Sequence, residues 1–472
     1  MPSLGKIILL ACMPAFVAGC AKYRPEPISA VAEAASLEGR TLTNPRLQEF
    51  IGLALLPQQT SVSTSWDLPK LTLAALYYHP DLDVARAKLA SAQAGIVTAA
   101  QIPNPTVSAS AIYNSTVTTP TPWTVGQVVN FLIETMGKRE YRTAQAQNLA
   151  DAARDDLATA TWQVRGHVRT ALLDLWAAQR RLALTSRRLT LQQQFVDLLQ
   201  RRFAEGQTSA LDMTRERINL NQSNLAVREA ERLRAEARVQ LATAVGVPVS
   251  ALERVALAFN AFEHPVQFST AIGELRRQAL VYRSDVQALL AKYEATQSGL
   301  QLEIVRQFPN LNLGPGYTYD QGANKYNLDL AFDLPIFNQN QGPIAEADAR
   351  RRGAAARFTA LQAQVLGAID AALASYRSGA RAVATADKLA ADGQHRQQEV
   401  SRSFGAGEVD RPTLVTAELE VAAIELSRFD AIAQRLQSLG ALEDALQHLL
   451  FAPDAKLFVF EANPRTASEI AR

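Results

Sequence analysis

The chain has 472 residues, is 48% apolar, and carries 48 basic against 46 acidic residues, a formal charge of +2. So even a balance gives no charge signature of a nucleic-acid or polyanion partner. Outside the N-terminus no run of about 20 apolar residues offers a transmembrane helix. Length alone would suit about three domains, which the internal repetition described below argues against.

Lys6 precedes an apolar run from Ile7 to Val17 that ends in Val17-Ala18-Gly19-Cys20, the pattern of a secretory signal (residues 1–19) with a lipoprotein cleavage site. Cys20 is then the lipidated first residue of the mature chain; the alternative is a buried strand with an incidental cysteine. Cys12 leaves with the signal, so no disulfide framework is available. Ala21 and Lys22, with no aspartate after the cysteine, favour the outer membrane over retention at the inner one. Residues 20–70 contain Pro25, Pro27, Pro45, Pro57 and Pro69 and read as an extended arm with one amphipathic piece around Leu47 to Leu56.

Leu71 to Gln101 is helical by its content and by the apolar series Leu82, Ala85, Leu89, Ala92 and Ile96; Ile102-Pro103-Asn104-Pro105 stops it. Strand spacing follows, with Val107, Ala109, Ala111 and Tyr113 opposite Thr106, Ser108 and Ser110, and it resumes from Trp123 to Ile133. Gly137-Lys138-Arg139 opens a proline-free helix to about Arg202, roughly 95 Å at ~1.5 Å per residue. Its single glycine is Gly166. Val168, Leu175, Leu182, Leu189, Val196 and Phe203 recur at sevens, the mark of coiled-coil packing. After a bend, Leu211, Ile218 and Leu225 carry a heptad back to about Val245, where Gly246-Val247-Pro248 ends it.

The bend Phe203-Ala204-Glu205-Gly206-Gln207-Thr208-Ser209 returns as Phe404-Gly405-Ala406-Gly407-Glu408-Val409-Asp410. Asp81-Leu82, Pro105 and Val107 likewise match Asp285-Val286, Pro309 and Leu311. The chain is therefore one unit built twice. The first repeat covers 71–270, with a β-hairpin at about 104–135, a helical hairpin at about 139–246 and a belt insert at 249–270. The second covers 271–452, with a β-hairpin at about 309–336 and a helical hairpin at about 342–450; 453–472 is a C-terminal tail. Each return leg is shorter than its outward leg. The helix of Ala271 to Phe308 is expected to complete the first return, and that of Leu71 to Gln101 the second.

In the second copy Leu311, Leu313, Tyr317 and Tyr319 face away from Asn310, Asn312 and Asp320. Leu328, Leu330, Phe332 and Leu334 likewise face away from Asn327, Asp329 and Asp333. This alternation fits a soluble sheet as well as a membrane barrel with lipid outside and water inside. Strand lengths near the ~9–11 residues that cross a bilayer, and Tyr113, Trp123, Tyr317, Tyr319 and Tyr326 towards the strand ends, favour the barrel. Asp329 and Asp333 then face its lumen. Four strands cannot close a barrel, so it must be shared between subunits.

At the bends two readings stay open: Gly206 and Gly407 supply a positive φ while Phe203 and Phe404 cap the heptad seam, and Phe203, Gly206, Phe404 and Gly407 belong to a docking surface for a partner. Gln207, Ser209, Glu408 and Asp410 are expected to be dispensable for the turn and available to a partner, with Arg202, Arg402 and Arg411 as polar anchors. Enzyme chemistry has no such signature. His79, His167, His264, His395 and His448 share no metal-ligand spacing and read as surface or helix-face residues. Asp155-Asp156 point apart on a helix, towards solvent. Nucleophile elbow, phosphate loop and dinucleotide fingerprint are absent from the sequence. No metal, cofactor or catalytic residue is assigned, and the reading is of a passive conduit.

Ile102-Pro103-Asn104-Pro105, Gly137-Lys138-Arg139, Phe332-Asp333-Leu334-Pro335-Ile336-Phe337-Asn338 with Gly342, and the two Phe-x-x-Gly bends resemble the TolC family of outer-membrane efflux ducts over about Leu71 to Leu450. The Pro-Asn-Pro and Gly-Lys-Arg pieces lean towards its cation-efflux branch. The resemblance implies a mixed, mainly α fold, in which long helical hairpins form a periplasmic α-barrel below a transmembrane β-barrel. It also implies a homotrimer in outer-membrane lipid, a periplasmic adaptor (membrane fusion) protein at the tips, and an inner-membrane RND-type pump. In the best-known members aspartate rings narrow the tunnel at places that align here with Thr413 and Thr416, leaving Glu408 and Asp410 as candidate constriction residues. Two alternatives stay open: a polypeptide-secretion duct of type I secretion, and a soluble periplasmic coiled-coil scaffold or lipoprotein enzyme.

Overall fold

The computed structural model describes residues 23–54, 65–116, 121–263 and 272–451. The signal with Cys20, His264 and residues 452–472 lie outside the described residues. Helices α1 (Ala30–Glu38) and α2 (Pro45–Ala54) belong to the arm, and α3 (Leu68–Tyr78) and α4 (Pro80–Ala100) lead into strands β1 (Thr106–Tyr113) and β2 (Trp123–Ile133). The long α5 (Lys138–Ala204) and its return α6 (Ala210–Val245) follow, then the short α7 (Val249–Glu253) and α8 (Asn260–Glu263). The plan repeats as α9 (Ile272–Tyr282), α10 (Ser284–Val305), β3 (Leu311–Asp320), β4 (Ala323–Ala331), α11 (Gln341–Gly405) and α12 (Arg411–Leu446). At 67 and 65 residues, α5 and α11 are each about 100 Å long.

The returns are completed within their own repeats, which corrects the pairing expected from the sequence. Gly246 holds φ +81°, and a Cβ there would lie 3.0 Å from the Tyr78 carbonyl oxygen. So α6 ends on the α3–α4 corner, and α4 takes up its line along α5. Arg40 fastens the corner, donating to the carbonyl oxygens of Tyr78 (2.8 Å) and Gly246 (2.9 Å). In the second repeat Arg283 donates to the Asp444 and Ala445 carbonyls, and the Ser284 backbone N–H and hydroxyl both reach Gln447 Oε1. There α10 continues α12. Helix lengths reveal two short helices per return but not which two meet; these corner contacts decide it.

The helices form a slab in the order α4/α6, α5, α10/α12, α11. The largest apolar cluster sits where the composite helices join, around Leu71, Leu82, Leu172, Leu175, Leu241 and Leu442. Of the heptad on α5, Val168, Leu175 and Val196 are buried, while Leu182 and Leu189 are half-buried and Phe203 is exposed. The heptad on α6 is not an internal seam. Met213, Glu216, Ala230, Ala237 and Leu241 are among the buried positions of α6, and the helical repeat puts Leu211, Ile218 and Leu225 on the far side, where they are 79%, 52% and 70% exposed. Helix α1 was not foreseen in the arm. Ser29 caps it and it buries no residue, so no apolar period announces it.

At the level of the core, α5 and α12 are joined through buried charges. Glu443 is fully buried, accepts from Arg165 and Arg169, and takes the backbone N–H groups of Leu450 (2.7 Å) and Phe451 (2.8 Å) on its other oxygen. Arg169 also holds Asp444 at 2.6 Å and 2.9 Å. Gly166 explains itself here: a Cβ would meet Asp444 Oδ1 at 2.9 Å. Burial pushes the Glu443 carboxyl up, and the two guanidiniums more than reverse this, holding it below the usual carboxylate range. A depressed acid stabilises the fold above its unfolded value, and that contribution fades as pH falls through the lower folded one. Glu443→Ala, which removes the carboxylate shared by Arg165 and Arg169 and leaves Arg169 with Asp444 as its carboxylate, should destabilise the fold by about 3–5 kcal/mol, measured by loss of helical circular dichroism on unfolding.

Candidate functional site: the sheet and the helical tips

The four strands form one antiparallel sheet in the order β1-β2-β3-β4. The register sorts side chains onto two faces. One carries Val107↔Val129, Ala111↔Val125, Tyr113↔Trp123, Phe131↔Leu313, Leu313↔Leu330 and Tyr317↔Tyr326. The other carries Thr106↔Asn130, Ser110↔Gly126, Thr124↔Asp320, Gly314↔Asp329 and Gly316↔Asn327. The apolar face is uncovered within the chain: Val107, Leu328 and Leu330 are each more than 60% exposed. Aromatic pairs Tyr113–Trp123 (5.1 Å) and Tyr317–Tyr326 (5.4 Å) lie towards the hairpin ends.

The polar face is crowded. A Cβ on Gly314 would meet Asn130 Oδ1 at 2.6 Å, and one on Gly316 would meet Asn327 Oδ1 at 2.6 Å. The glycines let polar side chains share that face. Asp329 lies there and accepts from Asn327 at 3.0 Å. Asp333, expected beside it, lies beyond the end of β4 at Ala331. Every residue of β1 and of β4 is exposed, and both strands are edges with one partner each.

The Gly-Lys-Arg motif clamps the sheet to the slab. Met136 and Gly137 both take positive φ, turning the chain from β2 into α5. Lys138 Nζ donates to the Phe308 carbonyl (2.5 Å) and Asn310 Oδ1 (2.6 Å), tying the first repeat to the second. Arg142 reaches back to Glu134 and to the carbonyls of Ala99 and Gln101. Asn340, also at positive φ, binds Glu303 and so plays the same part for α10 and α11. The motif was visible as a marker; the partners Phe308 and Asn310 of Lys138, 170 and 172 residues away, were not.

At the tips Gly206 and Gly407 take φ +72° and +76°, as expected. The two tips also touch each other. Arg202 donates to Asp410 at 2.7 Å; within the second bend Arg411 stacks over the Phe404 ring at 5.7 Å. Three residues expected to be dispensable for the turns are part of them. Ser209 caps α6 by accepting from the Asp212 N–H (3.0 Å), Asp410 caps α12 by accepting from the Thr413 N–H (3.0 Å), and Glu408 takes the Ser403 hydroxyl (2.9 Å). A Ser or Asp just before a helix is itself the signal for such a cap. Hydrogen bonds from Thr413, helped by Arg202, hold the Asp410 carboxyl below the usual range. Gln207 and Arg402 have no side-chain partner among the described residues. His79 sits at the α3–α4 corner rather than on a helix face, its ring accepting from the Asp81 N–H, and Asp156 pairs with Lys292 at 2.8 Å.

Residues 71–247 match the family model described as "Outer membrane efflux protein". The chain is 27% identical over 269 residues to the cobalt-zinc-cadmium resistance protein CzcC of Cupriavidus metallidurans, covering 57% of this chain and 62% of that one. It is 26% identical over 270 residues to the pyoverdine export outer membrane protein OpmQ of Pseudomonas putida, covering 57% and 56%. It thus spans under two thirds of these curated relatives. Among solved structures, the outer membrane protein VceC of Vibrio cholerae superposes with a TM-score of 0.66 at 18% identity, over 81% of this chain and 96% of that one. These findings agree with the resemblance carried by the sequence motifs, and the fold is that of the outer-membrane channels.

Asp410→Ala and Ser209→Ala should each cost about 1 kcal/mol as lost helix caps. Asp410→Ala also frees Arg202, so the first bend should become more accessible to limited proteolysis, whereas Gln207→Ala should leave both bends unchanged.

Proposed function

We propose that this chain, with the efflux signature over residues 71–247 on the fold of outer-membrane channels, is the outer-membrane duct of a tripartite efflux system. The observation that carries the reading is the sheet: one exposed apolar face, one polar face and two unpaired edges on top of helices about 100 Å long. Lipid tolerates no open sheet edge, so β4 of one copy pairs with β1 of the next until the ring closes. The slab obeys the same order, with α11 at one edge and α4/α6 at the other. Resemblance to the family makes the ring a homotrimer. In it the polar strand face, with Asp329, lines a water-filled lumen and the apolar face meets lipid.

Cys20 is lipidated at the outer membrane, a periplasmic adaptor docks at the tips, and an RND-type inner-membrane pump supplies the energy. Similarity to a cobalt-zinc-cadmium resistance protein, together with the Pro-Asn-Pro and Gly-Lys-Arg motifs, supports metal cations among the small solutes carried. Glu408 and Asp410 are candidate constriction residues at the periplasmic end. Because Asp410 and Ser209 hold the turns, docking is best read at Gln207 and Arg402, whose side chains are free of the hairpin.

Leu330→Arg should impede insertion by roughly 2–4 kcal/mol per subunit if the site lies near mid-bilayer, whereas Asp329→Asn should not; assembly in outer-membrane fractions reports it, and normal assembly of Leu330→Arg would remove the barrel assignment. Gln207→Glu with Arg402→Glu should lower adaptor crosslinking and export while the oligomer persists in detergent. Cys20→Ala should abolish acyl labelling.

A further inference from the structure

The two repeats meet inside the sheet at β2 and β3, and that internal junction is a pattern for the two free edges. Gln101-Ile102-Pro103-Asn104 ahead of β1 returns as Gln307-Phe308-Pro309-Asn310 ahead of β3, so Thr106 corresponds to Asn312. In the folded sheet Val107 therefore corresponds to Leu313 rather than to Leu311. Thr106 pairs with Asn130 and Asn312 with Ala331, which makes Ala331 the counterpart of Asn130. The helices that follow start at Lys138 and Gln341, each after an N-cap of positive φ, Gly137 and Asn340. The longer exit from β4 is taken up in a tight turn, in which the Ile336 N–H donates to the Leu334 carbonyl at 2.8 Å.

The β2–β3 register, carried over to these counterparts, gives a β4–β1 register between two copies. Phe131↔Leu313 becomes Phe332 against Val107 of the next copy, and Val125↔Tyr319 becomes Tyr326 against Tyr113, so apolar side chains meet apolar ones. Leu132↔Asn312 becomes Asp333 against Thr106, and Val128↔Gly316 becomes Asp329 against Ser110. Each carboxylate then faces a hydroxyl, as Asp320 takes the Thr124 hydroxyl at 2.7 Å inside the chain. A slip that sets Leu330 against Ala111 instead of Ala109 puts the Asp329 carboxylate opposite Ile112.

The clamp beneath the sheet has counterparts too. Lys138 Nζ donates to the Phe308 carbonyl and Asn310 Oδ1. The corresponding acceptors, on Ile102 and Asn104, are exposed and have no hydrogen-bond partner among the described residues. The corresponding donor is Gln341, whose Oε1 takes the Gln339 N–H at 3.1 Å, leaving the amino group to donate outwards. A neutral amide also brings no charge to be desolvated when copies join. Farther along the helices, a Cβ on Gly299 of α10 would meet Gln145 of α5 at 2.9 Å, whereas Gly95, its counterpart on α4 by the match of Asp81 to Asp285, has nothing within 4 Å.

We propose that copies of this chain join with β4 against β1 in this register, Leu330 facing Ala109 of the next copy, and that Gln341 clamps the junction by donating to the Ile102 carbonyl and Asn104 Oδ1 of that copy. This rests on the ring closure proposed above and adds to it the register and the side chains that set it. The junction between copies repeats the junction within the chain, with glutamine in place of lysine.

The test uses the full chain in outer membranes, treated with a mild oxidant and read on denaturing gels. Leu330→Cys with Ala109→Cys should join chains through a disulfide several-fold faster than Leu330→Cys with Val107→Cys, Ala111→Cys or Tyr113→Cys, because only directly opposed residues fall within the ~4.4–6.8 Å Cα separation that a disulfide spans. On the polar face, Asp329→Cys with Ser110→Cys should likewise lead over Asp329→Cys with Ser108→Cys or Ile112→Cys. Without added cysteines, Gln341→Ala should lower the temperature at which the detergent-extracted oligomer dissociates, and adding Asn104→Ala should lower it little further. A different pair leading on either face overturns the register while the ring stands. Joined chains from no pair overturn this junction alone if the oligomer persists in detergent, and the ring with it if the chain is a monomer. Additive losses at Gln341 and Asn104 overturn the clamp.

Discussion

An unpaired backbone edge is the constraint on which the rest of this structure depends. In water a sheet edge is satisfied by solvent; in hydrocarbon each lost hydrogen bond costs several kcal/mol. With β1 and β4 at the edges, the chain is a strip rather than a closed body. The strip runs the same way in its helices, α4/α6 lying on the β1 side and α11 following β4. Such an arrangement joins head to tail, and a heterologous contact of this kind must either close into a ring or extend without limit. Closure therefore has to be set by geometry common to sheet and slab.

The side chains at the two slab edges make sense in that light. On α11, Ala349, Gly353, Ala356, Ala360, Ala363 and Gly367 are all exposed, on the side turned away from the buried Val365 and Ile369. On α4 the exposed positions include Ala87, Ala90 and Ala94. Small residues let helix backbones approach closely, whereas Leu211, Ile218 and Leu225 on α6 need a deeper partner surface. The upper slab is thus suited to tight joining and the lower slab to wider spacing. Amphipathicity, usually a guide to the core of one chain, here leaves the α6 heptad of Leu211, Ile218 and Leu225 exposed.

Much of the fold was legible because its signals are local. Proline-free runs ended by Gly246-Val247-Pro248 or Ile102-Pro103-Asn104-Pro105 mark helices, and alternation marks strands whose faces the register then reproduces. The duplication was legible from the two bends, Phe203 to Ser209 and Phe404 to Asp410, together with the match of Asp81-Leu82, Pro105 and Val107 to Asp285-Val286, Pro309 and Leu311. What was not legible depends on partners distant in sequence: Lys138 on Phe308, Arg202 on Asp410, Arg165 on Glu443. A long basic side chain on a helix looks the same whether it is solvated or buried against a carboxylate. The corner pairings failed for the same reason, since Gly246 meeting Tyr78 is a statement about two ends of the first repeat.

The placement of polar contacts along the slab grades its stiffness. At the belt, Glu443 is buried and shared by the buried Arg165 and Arg169, so removing that carboxylate costs several kcal/mol. At the tips, Arg202 and Asp410 are both well exposed, and an ion pair of that kind contributes only about 0–1 kcal/mol. Between them lies a buried polar layer in which Gln192 donates to Glu216 at 3.1 Å, which fixes register in the α5–α6 hairpin more than it adds stability. Displacements of a given energy are therefore larger near Gly206 and Gly407 than near Gly166. The end of the molecule farthest from the membrane is the compliant one, and the belt, where the two repeats are cross-linked by buried charge, is the fixed frame against which it moves.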